Sequence, residues 1–226
     1  MPEGNQAQIL IVDSHPLSQS GLRHIIAEAP GLHVCGATGA MEEAVALVAK
    51  CRPDLVLLEL ELRRGSGISF MKSLLVPSPG LKVLVTSRRD ERLYAERSIR
   101  AGAMGYISKD AATEELVAAM RRVLAGKVYV SGRVADHLLQ QVAAQSTADV
   151  HSLTILSDRE LEVFELLGEG LTTRQVAAQL HLCVKTVESH RGNIKEKLGL
   201  ENSNQLLRRA VAWNLRADDK PDSRPS

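Results

Sequence analysis

QILIVDSHPLSQSGLRHIIAE, residues 8–28, decides the fold class. Gln8–Val12 (QILIV) is a short apolar run, the pattern of a strand buried on both faces, and it stops at Asp13. From Pro16 onward, Leu17, Leu22, Ile25 and Ile26 recur close to helical spacing. The same strand-then-helix unit repeats downstream. Leu32–Ala37 reads as a strand and Met41–Lys50 as a helix with Met41, Ala44, Val45 and Val48 on one face. Leu55–Leu58 (LVLL) is a fully apolar strand ending at Glu59, and Lys82–Val85 is another ending at Thr86. Asp90–Ala101 is helical, Gly105–Ile107 is a short strand before Lys109, and Thr113–Ala125 is a helix whose start reads as a capping box beginning at Thr113. Only Ser69–Leu75, ahead of Pro77 and Pro79, gives a weak signal.

Repeated strand–helix units with continuous apolar strands imply a parallel sheet covered by helices on both faces. Sites in such sheets lie at the carboxyl ends of the strands. Those ends carry Asp13, Glu59, Thr86 and Lys109, so two carboxylates, a hydroxyl and an ammonium converge on one rim. Any one of them alone is an ordinary turn or solvated residue. All four at the ends of the first, third, fourth and fifth strands mark a site.

ILIVDSHPLSQSGLRHII, PDLVLLELEL, VLVTS and AGAMGYISKD resemble the receiver domain of two-component response regulators, in the NarL/FixJ subfamily. The resemblance implies a flavodoxin-like, doubly wound five-stranded sheet of order 2-1-3-4-5. It implies an acidic pair for Mg²⁺, a phosphoacceptor Asp, a switch hydroxyl, a switch aromatic and a Lys. The matching positions are Asp13 and Ser14, Glu59, Thr86, Tyr106 and Lys109, with Glu61 in the loop after the acceptor. Two positions depart from the pattern: Glu59 stands for the acceptor Asp and Ser14 for the second acid. Arg63 stands where the family has a proline. Phosphoryl transfer is catalysed by positioning and charge neutralisation, and about 1 Å of misplacement costs ~100-fold. Glu59 is one methylene too long, and Ser14 removes a charge from the metal site. The expectation is a pseudo-receiver that takes phosphate poorly or not at all. No cofactor is expected, and Mg²⁺ binding at Asp13 and Glu59 is expected to be weak or absent. Glu59 is expected to reach toward Lys109, either imitating the phosphorylated state in part or as a plain ion pair.

Farther along, Ser157–Glu160 is a capping box opening a helix with Leu161, Phe164 and Leu167 on one face. Thr172–Gln175 is a second box, and a third helix runs from about Val184 to Leu198, with Val187, Ile194 and Leu198 as its buried stripe. Ser203–Trp213 is a fourth helix. Two short helices around a tight turn describe a helix-turn-helix. On the third helix Lys185, Arg191, Lys195 and Lys197 outnumber Glu188 and Glu196, residue types that suit a major groove as well as a solvated face. LSDRELEVFELLGEGLTTRQVAAQLHLCVKTVESHRGNIKEKLGL closely resembles the LuxR-type DNA-binding domain, an all-α four-helix unit. Position by position, the resemblance puts Glu188, Ser189 and Gly192 at base edges, and Lys185, Thr186, His190, Arg191 and Lys195 at or near the backbone. Thr173 is placed on the same DNA face. Arg191 is expected to pair with Glu188, and Cys183 to be a poor helix cap.

Net charge is +1, from 28 basic and 27 acidic residues, so any nucleic-acid surface is local. Aromatics at 3% exclude a base-stacking platform. No apolar run approaches the ~18 residues of a membrane span, the N-terminus has no signal pattern, and Cys35, Cys51 and Cys183 are scattered. The expected location is the cytoplasm. Gly65-Ser66-Gly67 has no triad or metal set around it, so no enzyme is expected. The expected organisation is a receiver-like domain at 8–127, a linker with a helix at 128–152, a helix-turn-helix domain at 153–216 and a disordered tail at 217–226. The residue pairs Arg88-Arg89 and Arg121-Arg122 are expected to be solvated. The reading is a transcription regulator that binds operator DNA as a homodimer through helix 184–198, with a sensor kinase or other regulatory protein as a further partner. The residues also leave open a conventional phosphorylation switch, and a receiver used as a protein-interaction module.

Overall fold

A computed structural model describes residues 6–62, 66–136 and 153–218. The chain divides into two compact units, residues 1–145 and 146–226. In the first, β1 (Ala7–Val12), β2 (Leu32–Thr38), β3 (Leu55–Glu59), β4 (Lys82–Ser87) and β5 (Gly105–Ser108) form one parallel sheet in the order β2-β1-β3-β4-β5. The helices α1 (Pro16–Glu28), α2 (Met41–Cys51), α3 (Gly67–Leu75), α4 (Glu91–Arg100) and α5 (Thr113–Leu124) alternate with the strands. Ile9, Ile11, Leu55, Leu57 and Leu84 meet Ile26, Ala119, Met120 and Val123 in a core on one face of the sheet. Burial at every position of β3 explains its unbroken apolar run.

The weakly signalled stretch is the regular helix α3. Ser66 caps it by accepting from the Ser69 amide, and Ile68, Phe70, Met71 and Leu74 are buried. Gly67 is required there, because a Cβ would lie 2.5 Å from the Leu60 Cα.

At α5 the capping box is displaced. The cap position is Ala112, in extended conformation with no side-chain hydrogen bond, so Thr113 is the first helical residue. A residue that caps must itself be non-helical. Ala112→Ser therefore supplies the missing acceptor, with Glu115 already at the third helical position. The first unit is expected to gain about 1 kcal/mol, read as a Tm rise of about 4 °C. No rise in Tm would mean that the α5 start frays.

Beyond α5, Tyr129 bridges Gly105 on the β5 edge and the Ser131 hydroxyl donates to Glu91. Residues 132–136 are helical, with Val134 buried, and the rest of the expected linker lies outside the described residues.

In the second unit α6 (Asp158–Gly168), α7 (Thr173–Leu180), α8 (Val184–Lys197) and α9 (Ser203–Asp218) enclose Leu161, Phe164, Leu167, Val176, Leu180, Val187, Ile194, Leu206 and Ala210. Both capping boxes form, Ser157 with Glu160 and Thr172 with Gln175. Glu160 is buried, and its carboxylate also accepts from the Lys197 ammonium at 2.6 Å, tying the start of α6 to the end of α8. That ammonium and the Ser157 contacts hold the Glu160 carboxyl below its ordinary range against the raising effect of burial. Leu198 is only half-buried, so the α8 stripe rests on Val187 and Ile194. The expected tail begins later than residue 217, because α9 takes in Ala217 and Asp218; residues 219–226 lie outside the described residues.

Candidate functional site

Parallel register brings the strand ends to one rim. Val12 pairs with Leu58, Glu59 with Thr86, and Thr86 with Ile107. Asp13 and Glu59 are each 1% exposed, and Lys109 is 14% exposed. The Lys109 ammonium lies between them. It donates to Asp13 Oδ2 at 2.7 Å and forms an ion pair with Glu59 Oε2.

The remaining oxygens are also engaged. Asp13 Oδ1 accepts from the His15 amide at 2.8 Å, and Oδ2 accepts from the Ser18 hydroxyl at 2.5 Å. Glu59 Oε1 accepts from the Glu61 amide at 2.9 Å. Ser14 donates to the Glu61 carbonyl at 2.9 Å, the link that Ser in place of an acid makes possible. Burial alone raises the Asp13 carboxyl. The Lys109 ammonium, Ser18 hydroxyl and His15 amide outweigh it and hold the carboxyl below its ordinary range.

Thr86 is buried beside Glu59 and faces the same cavity as Glu59, Glu61 and Lys109. Tyr106 is buried, and its hydroxyl donates to the Arg89 carbonyl at 2.8 Å. Arg89 is not a solvated residue. Its guanidinium donates to Tyr94 at 2.7 Å, lies 5.1 Å from that ring's centre and pairs with Glu61 at 3.3 Å. A long side chain folded back on an aromatic ring and a carboxylate leaves no local trace in sequence. Ser18 and His15 contact Asp13 because the turn into α1 closes there.

The second cluster lies on α8 and the start of α7. Lys185, Glu188, Ser189 and Gly192 are exposed, and Thr173, Thr186, His190, Arg191 and Lys195 are half-buried. The first turn of α8 has no side-chain cap at Cys183, whose thiol instead lies 2.9 Å from the Thr186 hydroxyl. Ser189 bonds back to the Lys185 carbonyl at 3.1 Å. Arg191 does not pair with Glu188. Its guanidinium donates to the Thr173 hydroxyl at 2.5 Å, joining α8 to α7. Helical spacing allowed the Glu188 pair, but the turn brings Thr173 to Arg191. His190 Nδ1 is buried with no hydrogen-bond partner among the described residues. Val184 at the helix start, 38% exposed, is an apolar member of this face that charge counting overlooked. No helix among the described residues is long and apolar enough to cross a membrane.

Residues 9–121 match the response regulator receiver domain, and residues 154–210 match the luxR family of bacterial regulatory proteins. The oxygen regulatory protein NreC of Staphylococcus aureus is 32% identical over 213 residues, covering 92% of this chain and 98% of its own. The transcriptional regulatory protein DegU of Brevibacillus brevis is 29% identical, covering 90% and 92%. RcsB from Salmonella enterica serovar Typhimurium, solved bound to a promoter, shares the fold with a TM-score of 0.67 at 23% identity, covering 92% of this chain and 99% of its own.

Proposed function

This chain belongs to the response regulators that join a receiver to a luxR-type DNA-binding domain, and from that premise we propose a transcription regulator whose receiver works without phosphorylation. It is not an enzyme. The regulatory part is residues 8–127, the DNA-binding part is 153–216, and residues 128–152 link them. Cytoplasmic DNA is its place of action.

The observation that carries the proposal is the Lys109 ammonium held by both Asp13 and Glu59. A receiver uses Mg²⁺ and a free carboxylate to attract and accept a phosphoryl group, and Mg²⁺ needs a near-octahedral set of oxygens. The donor set here does not fit Mg²⁺. Every carboxylate oxygen of Asp13 and Glu59 already has a partner, and one of those partners is a cation. No third His, Cys, Asp or Glu among the described residues joins them as a metal-binding group. Glu59 brings one negative charge against the ~2 of a phosphoryl group, enough to hold Lys109 in place but less than a full imitation.

On DNA, Glu188 and Ser189 read base edges. Lys185, Thr186, Arg191 and Lys195 hold phosphates, and Thr173 positions Arg191. Two copies bind an inverted repeat with half-sites one helical turn apart, which restores the affinity one small unit lacks.

The test exposes the full chain to acetyl phosphate and Mg²⁺, then measures intact mass and affinity for a selected operator at fixed salt. The expected result is no gain of the about 80 Da of a phosphoryl group and no change in affinity. A gain in mass with tighter binding overturns the proposal in favour of an ordinary phosphorylation switch.

A further inference from the structure

We infer that the cavity running from the receiver rim along the groove between α1 and α5 is a ligand site for an apolar-bodied small molecule carrying one carboxylate. The cavity measures about 640 Å³, inside the roughly 300–1,000 Å³ range of small-molecule sites. Its two ends differ in chemistry. Thr86, Arg88 and Lys109 stand with Glu59 and Glu61 at the rim, while Pro16, Leu17, Leu22 and Ile25 of α1 face Leu116 of α5 along the groove.

The rim defines the head group. Lys109 is neutralised by Asp13 and Glu59, and Glu61 is paired with Arg89. Arg88 and the Thr86 hydroxyl remain. Both line the cavity, and neither has a side-chain hydrogen bond or ion pair among the described residues. A cation beside a free donor calls for an anionic acceptor. A single carboxylate balances Arg88, whereas a dianion adds excess negative charge to a rim where Asp13, Glu59 and Glu61 already face only Lys109 and Arg89.

The groove defines the body. Leu17 is 89% exposed, the highest value of any large apolar side chain among the described residues, and it stands at the cavity wall. A polar ligand leaves Leu17 in water. An apolar body covers it, at about 25 cal/mol for each Å² removed from water. The inference rests on the receiver being free of phosphate, because a phosphoryl group on Glu59 would compete for the same end of the cavity.

The probe is 1-pyrenebutyrate, with 1-pyrenebutanol as the same body without the charge. Both are titrated into the full chain by fluorescence, with intact mass and light scattering on the same samples. The expected result is saturable one-to-one binding, with the acid favoured over the alcohol by about fivefold, the upper end for an exposed ion pair. Arg88→Ala should erase that preference and leave alcohol binding unchanged. Leu17→Glu should weaken the acid by about tenfold, from lost apolar contact plus repulsion. Arg88 and Leu17 are exposed, so both variants are expected to fold, and circular dichroism checks this. Absence of saturable binding overturns the inference, as does binding indifferent to both substitutions. Probe release as the protein doubles its mass also overturns it and gives the groove to a second copy. Each of those results leaves the phosphorylation-independent reading standing if no phosphoryl mass is gained with acetyl phosphate; a mass gain overturns both.

Discussion

Lys109→Ala is expected to destabilise the receiver by about 3–5 kcal/mol, the cost of removing one partner from a buried ion pair. That corresponds to a Tm lower by ~10 °C or more in thermal unfolding of the full chain. The reason is charge. Asp13 and Glu59 are both 1% exposed, and without Lys109 two buried carboxylates face each other with no cation. Lys109→Met restores most of the lost volume and none of the charge, so it should fall nearly as far. Glu59→Gln combined with Lys109→Met should recover part of the loss, because only one buried carboxylate remains.

The pH dependence has a definite sign. In the native protein the Asp13 carboxyl lies below its ordinary value. Its stabilising contribution is therefore complete at neutral pH and is lost only as the pH falls through that depressed value. In Lys109→Ala, the Asp13 carboxyl loses the cation that held it down, and burial raises it instead. The variant should then regain stability as the pH is lowered from neutral toward the ordinary carboxylate range, where the native protein changes little. A variant whose Tm matches the native protein at every pH would mean that water already screens the cluster, and would remove the main support for reading it as a closed site.

Arg191→Ala is expected to lower operator affinity by about 30- to 150-fold at ~0.1 M salt. The estimate takes about 1–1.5 kcal/mol per charge-assisted phosphate contact, made twice in a dimer. The slope of log affinity against log salt should become shallower by about 2, one unit for each copy. Thermal stability should fall by only about 1 kcal/mol, because the Arg191 bond to Thr173 lies at a half-exposed edge of the unit. Arg191→Lys keeps the charge and loses the guanidinium fork. It should recover most of the salt slope and only part of the affinity. A loss of less than threefold, with the slope unchanged, would show that this face does not carry the DNA and that Arg191 serves only to brace α7 against α8.

Sequence alone determined the strand and helix periods, and with them the parallel sheet, the rim that collects Asp13, Glu59, Thr86 and Lys109, and the two capping boxes of the second unit. Those features are local. A strand buried on both faces must be apolar throughout, and a capping box is written within four residues. The replacement of the expected acids by Glu59 and Ser14 was equally legible, because it is a matter of residue identity at a recognisable position. Other features were decided only by tertiary structure. Lys109 meets both acids because β1, β3 and β5 end at one level, a distance of 96 residues along the chain for the Asp13 pair. Arg191 turns to Thr173, 18 residues away, instead of to Glu188 one helical turn away. Arg89 folds onto Tyr94 and Glu61 instead of into water. The cap of α5 shifts to Ala112, because where the loop leaves the sheet sets which residue is still extended. Long side chains choose among partners brought close by the fold, and hydrogen-bond energies of about 1 kcal/mol separate the choices. No periodicity in the sequence encodes a difference that small.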